Sequence, residues 1–357
     1  MNQARGSSFI VSAAAVPPAL STLSDTFPGA AQRFPDKVDK DPEGAKALNV
    51  AATESLASLA ARRKIFLIYI STDYVFPGTP GDAPYEAFSN PRPTNLYGET
   101  KLDGERAVLH TFAQLGKQGS AVVLRVPVLY GHAETPSESA VNVLMDAVWK
   151  AQTEGVKVKM DHWAARYPTN TEDVGRVCRD VAIKYLSADS SRDNLPQILQ
   201  FSSEDKVTKY EICQRFGDIM GLSTAGIEPD TQGNDPNAAV QRPYDCHLST
   251  KGLQELGIDV STINFTDWWR REDEGEYENE DDDEEEKEDD LRSPHLMMLA
   301  QLACCRWRAG VWSLAGRWAR ECKKPFIYWA MGGEANRVRL MARGLVKALW
   351  RRKRRHK

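Results

Sequence analysis

The segment Lys64–Ser71, "KIFLIYIS", decides the fold, because six consecutive apolar positions bounded by charged and turn-forming neighbours make the tight run of a strand buried on both faces. Working backward, Asp41–Ala61 places Ala47, Val50, Leu56, Leu59 and Ala60 at roughly helical spacing. Working forward, a Gly/Pro-rich loop (Pro77–Pro93) leads to a helical pattern from Asn95 to Leu115, and "AVVLRVPVL" (Ala121–Leu129) is a second buried strand. Helix, strand, helix, strand is the order of an α/β protein with a parallel sheet. Further helices are expected at 141–153, 171–186, 209–220 and 250–256, with "LPQILQFS" as another strand and residues 1–40 irregular.

The 357 residues are enough for one large domain or two, so no disulfide or metal is needed as a staple. The formal net charge of −4 conceals a cancellation. Glu272–Asp290 carries 15 carboxylates against one lysine, whereas Leu291–Lys357 carries 17 Lys/Arg against Glu321 and Glu334. The acidic run has too little apolar surface to order itself, so it is expected to be disordered. Beyond it, Ala335–Lys357 has the spacing of a basic amphipathic helix ending in "RRKRRHK", a nuclear or phosphate-binding type of tag, which suits contact with nucleic acid or an anionic surface. The six cysteines form no CxxC pair and no zinc spacing, which is the pattern of reduced thiols in a cytosolic or nuclear protein and gives no metal site. Pro17 and Pro18 interrupt the apolar patch near the N-terminus, and no charge-free apolar run reaches the roughly 18 residues of a membrane span.

The chemistry concentrates in Tyr97-Gly-Glu-Thr-Lys101, placed on a helix and preceded by Ser71-Thr72-Asp73 just after the buried strand. Spacing of four puts the Tyr97 phenol and the Lys101 ammonium on one helix face. A fixed cation nearby is expected to lower the phenol pKa, which suits Tyr97 to donate a proton to a carbonyl while Lys101 reaches ribose hydroxyls and Thr72 orients the same carbonyl oxygen.

These motifs, "YISTDYVFPG", "NLYGETKLDGERAVL" and "VVLRVPVLYG", resemble the extended short-chain dehydrogenase/reductases, in the dTDP-4-dehydrorhamnose reductase branch. "MDHWAARYPTNTEDVGRVCRDVA", "TKYEICQRFGDIMGL" and "QRPYDCHLSTKGLQELGI" resemble the methionine adenosyltransferase regulatory β subunits more closely than the sugar reductases. The resemblance covers about Ala30–Ile258. It implies an α/β fold with a partial NAD(P)-binding Rossmann-type sheet over 30–135, interleaved with a small α/β substrate-binding domain over 136–260. Around these lie an irregular 1–29, an acidic disordered linker over 261–291 and a basic helical tail over 292–357. By resemblance Thr72, Tyr97 and Lys101 match the catalytic triad of the reductases, and Arg33, Asn49, Tyr97, Lys101 and Leu129 match cofactor-site positions. Arg242 and Asp173 match substrate-domain motifs but read better as structural ion-pair residues. The implied cofactor is NADP, and the implied partner is the catalytic subunit of methionine adenosyltransferase. In that family the role is regulation of S-adenosylmethionine synthesis, so an intact Tyr97 and Lys101 do not by themselves make an enzyme; turnover would make it an NADP-dependent ketoreductase.

Two features depart from the family. No Gly-rich GxxGxxG turn precedes the match, since Gly6 and Gly29 do not form one, which opposes NADP binding. The loss of the family's first strand is also expected to expose backbone donors and acceptors of its fourth strand.

Overall fold

The computed structural model describes Phe9–Ser12, residues 31–133, 135–234, 237 and 240–274, and Met298–Leu299. In chain order the elements are β1 (Phe9–Ser12), α1 (Pro35–Lys40), α2 (Pro42–Lys46), a π-helical turn (Ala47–Ala52), α3 (Thr53–Arg62), β2 (Phe66–Thr72) and α4 (Leu96–Gln114). There follow β3 (Ala121–Val126), β4 (Leu129–Tyr130), α5 (Leu144–Lys150), β5 (Val158–Asp161), β6 (Thr169–Asn170) and α6 (Thr171–Ser187). The series ends with β7 (Ile198–Gln200), α7 (Lys209–Met220), β8 (Ile227–Asp230), α8 (Lys251–Glu255), α9 (Phe265–Glu274) and β9 (Met298–Leu299).

The main sheet is parallel in the order β7-β3-β2-β1-β9. All seven residues of β2 are buried, as its apolar run requires. Alternate side chains serve opposite faces. Phe66, Ile68 and Ile70 pack with Val122, Leu124 and Val126 against Val174, Val177, Val181 and Tyr185 of α6. Leu67, Tyr69, Ala121 and Val123 pack against Ala57, Ala60 and Ala61 of α3 and Val108 and Phe112 of α4. A second core, belonging to the smaller lobe, joins Leu144 and Val148 of α5, Ile212 and Phe216 of α7, and Phe265, Trp268 and Trp269 of α9. There β5 pairs with β8, and β4 with β6.

Several expectations are corrected. Residues 1–40 are not wholly irregular, since α1 lies at Pro35–Lys40 and β1 pairs in parallel with β2, Phe9 opposite Phe66 and Ser12 opposite Tyr69. The edge of β2 is therefore covered, because a short extended segment is sufficient to supply the partners its backbone groups demand. The strand expected over Ala121–Leu129 is two: β3 stops before Pro127, which has no N–H for the ladder, and β4 crosses to pair with β6. The stretch taken as linker begins with an ordered helix, α9. Its Trp268 and Trp269 are buried and bring it into the smaller core, a tertiary pull that the acidic composition of the neighbouring sequence hides. Three short strands, β5, β6 and β8, had no expected counterpart. β9 falls within the basic tail and pairs with β1. The acidic residues after 274 and the rest of the tail lie outside the described residues. No helix among the described residues is long and apolar enough to cross a membrane.

Candidate functional site

α4 begins at the carboxyl end of β2. Its N-cap Asn95 accepts from Gly98 N at 2.9 Å. Gly98 permits this entry: a Cβ there would fall 2.2 Å from the carbonyl oxygen of Tyr74, so the first turn of α4 lies directly on the turn that follows β2. That contact brings Tyr97 and Lys101 to Thr72. All three line one cavity of about 610 Å³, together with Arg33, Asp73, Leu129, Arg166, Lys209 and Arg242. Asn49 stands behind the wall. Its amide oxygen accepts from Gln32 N at 3.0 Å, and its amide nitrogen donates to Gln32 O at 3.2 Å and to Thr100 Oγ1 at 3.0 Å, fixing the segment that carries Arg33 against α4.

The electrostatics differ from the expectation. Burial pushes the Tyr97 phenol well above its ordinary range, against the opposing pull of the Thr72 hydroxyl and the Arg33 charge. Lys101 does not lower it. Its Nζ donates to Ile70 O at 2.8 Å and sits 4.2 Å from the centre of the Tyr69 ring, and burial pushes it down to about 7. Desolvation therefore outweighs the cation effect that the four-residue spacing suggested. The Thr72 hydroxyl donates to Asp73 Oδ1 at 2.9 Å, and burial raises Asp73 to about 6. The guanidinium of Arg33 donates to the carbonyl of Glu138.

Beneath this end runs a buried polar chain that the sequence reading missed. Glu105 receives both arms of Arg125, Nε at 2.9 Å and Nη2 at 2.8 Å, and the Ser71 hydroxyl at 2.5 Å. The available signal was Glu105 itself, four residues beyond Lys101 on the same helix face. Arg166 and Lys209 were also missed, although Arg166 stands in "MDHWAARYPT", and Asp73, named beside Thr72, had been given no role. Arg242 and Asp173 form ion pairs, with Asp36 at 3.0 Å and with Arg176 at 3.4 Å. Among the described residues no cluster of His, Cys, Asp or Glu could hold a metal ion, and Cys178, Cys213 and Cys246 are buried free thiols.

The dinucleotide cofactor expected here fits only in part. Tyr97, Lys101, Leu129 and Arg33 gather at the cavity, but the amine of Lys101 and the guanidinium of Arg33 are engaged with backbone carbonyls, and among the described residues no glycine-rich turn opens onto the cavity to cradle a pyrophosphate.

A parallel sheet flanked by helices, with a Ser-Thr pair at a strand end and a Tyr–Lys helix facing one cavity beside a smaller lobe, defines the α/β architecture shared by NAD(P)-binding sugar-nucleotide reductases and dehydratases. The chain belongs to the family of the RmlD substrate binding domain, whose profile matches residues 27–268. It is 43% identical over 233 residues to methionine adenosyltransferase 2 subunit beta of Xenopus tropicalis, a match covering 65% of each chain. The present chain thus spans 65% of that relative's length. Among solved structures it resembles a dTDP-4-dehydrorhamnose reductase ortholog from Clostridium acetobutylicum, with a TM-score of 0.56 at 21% identity over 69% of this chain and 79% of that one. It also resembles the Bacillus anthracis dTDP-4-dehydrorhamnose reductase solved with NADP, with a TM-score of 0.55 at 20% identity over 68% of this chain and 76% of that one. At these identities the two structures establish the fold.

Proposed function

We propose that the chain is a regulatory, non-catalytic subunit that binds the catalytic subunit of methionine adenosyltransferase and so modulates S-adenosylmethionine synthesis. The observation that carries this reading is the 43% identity to subunit beta, sustained over 233 residues. The site supports it, because a phenol whose pKa is raised by burial and a lysine held on Ile70 O are poorly arranged for acid–base turnover at neutral pH. Co-purification of the full chain with the catalytic subunit tests the reading; a well-folded preparation that forms no complex overturns it. Cytosolic residence, with nuclear entry through the terminal basic tag, belongs to the same proposal.

A second reading, an NADPH-dependent sugar-nucleotide ketoreductase of the dTDP-4-dehydrorhamnose reductase type, is favoured by one observation: Thr72, Tyr97 and Lys101 all reach the same cavity. In that reading Tyr97 is the acid, Thr72 the orienting hydroxyl and Lys101 the residue that tunes Tyr97. Turnover of a dTDP-4-keto sugar that disappears in Tyr97→Phe would establish it. Titration with NADPH bears on both readings. With Lys101 and Arg33 engaged as they are, no low-micromolar affinity is expected, and a saturable low-micromolar isotherm would contradict the partial fit described above.

A further inference from the structure

The loop between β4 and α5 carries a motif that neither reading above uses, Thr135-Pro136-Ser137-Glu138. Ala133, Glu138 and Ser139 line the main cavity, whereas Thr135, Pro136 and Ser137 between them are exposed. Thr135 is extended, at φ −136° and ψ 146°, the conformation that a following proline favours. The chain then turns, with Glu138 N donating to Thr135 O at 3.1 Å and Ser139 N to Pro136 O at 3.2 Å. The Thr135 hydroxyl hydrogen-bonds the exposed Ser137 hydroxyl at 2.9 Å, a contact that water replaces at little cost. The Ser139 hydroxyl is held differently, donating to Leu129 O at 2.8 Å in a half-buried position.

An exposed hydroxyl on a loop, an extended backbone and a proline directly after it are what a proline-directed kinase reads, because the ring presents a fixed apolar surface in place of an N–H. Thr79–Pro80 is the other Thr-Pro pair among the described residues, and it is tied at both ends of its threonine. Thr79 N donates to the Tyr85 hydroxyl at 3.1 Å, and Thr79 O accepts from Asp82 N at 3.1 Å, in a turn that follows the left-handed Gly78.

A cation stands at the same turn. Arg33, which also lines the cavity, donates from its guanidinium to the carbonyl of Glu138, the residue whose N–H is bonded to Thr135 O. The acids nearest in the chain to Arg33 and in space to His132 are committed, Asp36 to Arg242 at 3.0 Å and Glu272 to His132 at 3.0 Å. A neutral carbonyl is a weaker partner for a guanidinium than the paired, charged oxygens of a phosphate.

We propose that Thr135 is a phosphorylation site for a proline-directed kinase, and that the attached phosphate is received by Arg33. In the transfer the γ-phosphoryl group of ATP passes to Thr135 Oγ1, ADP leaves, and the hydroxyl proton goes to the kinase's catalytic carboxylate. Arg33 then exchanges the Glu138 carbonyl for the phosphate, which ties the segment preceding α1 to this loop at the edge of the cavity. The assignment rests on these residues and not on the partner proposed above.

The test treats the full chain with a proline-directed serine/threonine kinase and ATP, and locates the phosphate by fragmentation mass spectrometry. Phosphate on Thr135 is expected, absent in Thr135→Ala, and Pro136→Ala should slow the transfer by about tenfold. The phosphorylated chain is then titrated by phosphorus NMR. A phosphothreonine titrates near pH ~6 on its second proton, and beside Arg33 its midpoint should lie lower than in a phosphorylated peptide of residues 131–141. Arg33→Met should restore the peptide's midpoint. No phosphate on Thr135, phosphate on Thr79 in preference to it, or an unchanged rate in Pro136→Ala would overturn the modification site. A midpoint equal to that of the peptide would overturn the role of Arg33.

Discussion

Two buried cations on the wall of the cavity are satisfied to different degrees. At the Tyr97 end, Lys101 is satisfied internally, by a carbonyl at 2.8 Å and an aromatic face, with Glu105 acting on it from a buried pair with Arg125. Arg166 donates from one guanidinium nitrogen to Ala165 O at 2.7 Å and keeps the other without a hydrogen bond, the Asp161 carboxylate standing 3.7 Å away. The comparison teaches that residues of a catalytic-type motif can be engaged by the protein itself, whereas a buried guanidinium nitrogen can be left with its nearest carboxylate beyond hydrogen-bond reach.

The largest expected effect breaks the satisfied end. Glu105→Gln leaves the Arg125 guanidinium buried without its counter-charge and should cost about 3–5 kcal/mol in urea unfolding. A loss under about 1 kcal/mol would mean that the buried chain does not support this end.

A second effect, of a few kcal/mol at most, concerns pH. The folded-state value of Lys101, about 7, lies below its ordinary 10.5, so the unfolded chain binds more protons between these limits. The contribution of Lys101 to stability is therefore complete above 10.5 and is lost as pH falls through 7. Unfolding free energies measured from pH 6 to pH 10 should rise more steeply in the unaltered chain than in Lys101→Met. Lys209, pushed down to about 8, adds a slope of the same sign that Lys101→Met retains. Identical slopes in the two proteins would place the Lys101 ammonium in water.

How far the sequence alone reached follows from the same contrast. Strand β2, the span of α4 and all of α7 were readable because apolar periodicity and caps are local. The Thr208/Glu211 capping box and the left-handed Gly221 mark the two ends of α7. Tyr97, Lys101 and Thr72 were readable as a motif, but the state of Lys101 was not, because it depends on Tyr69 and Ile70, a strand some thirty residues upstream whose side chains and carbonyls meet α4 only in the fold. Arg166 and Lys209 are 43 residues apart and are joined by the bridge between Arg166 and Val207, a non-local pairing with no period to announce it. α9 was hidden for a different reason: a strongly acidic neighbourhood masked two tryptophans whose burial decides the matter.

The smallest expected effect concerns the pair of Asp36 and Arg242, which both line the cavity. The ion pair between Asp36 and Arg242 is exposed on the Asp36 side, so Asp36→Asn should change stability by less than about 1 kcal/mol. A loss above about 2 kcal/mol in urea unfolding would show that the pair anchors the Asp36 segment more firmly than an exposed pair can.

The central claim is that the chain acts by holding a catalytic partner rather than by turning over a substrate through Tyr97. It is tested most directly by measuring the affinity of the methionine adenosyltransferase catalytic subunit for the unaltered chain and for Tyr97→Phe, side by side, with S-adenosylmethionine synthesis followed in the same samples. The account predicts one complex of equal affinity with both proteins and the same change in synthesis rate. No complex with either protein, or a change in rate that vanishes when the Tyr97 hydroxyl is removed, would contradict it.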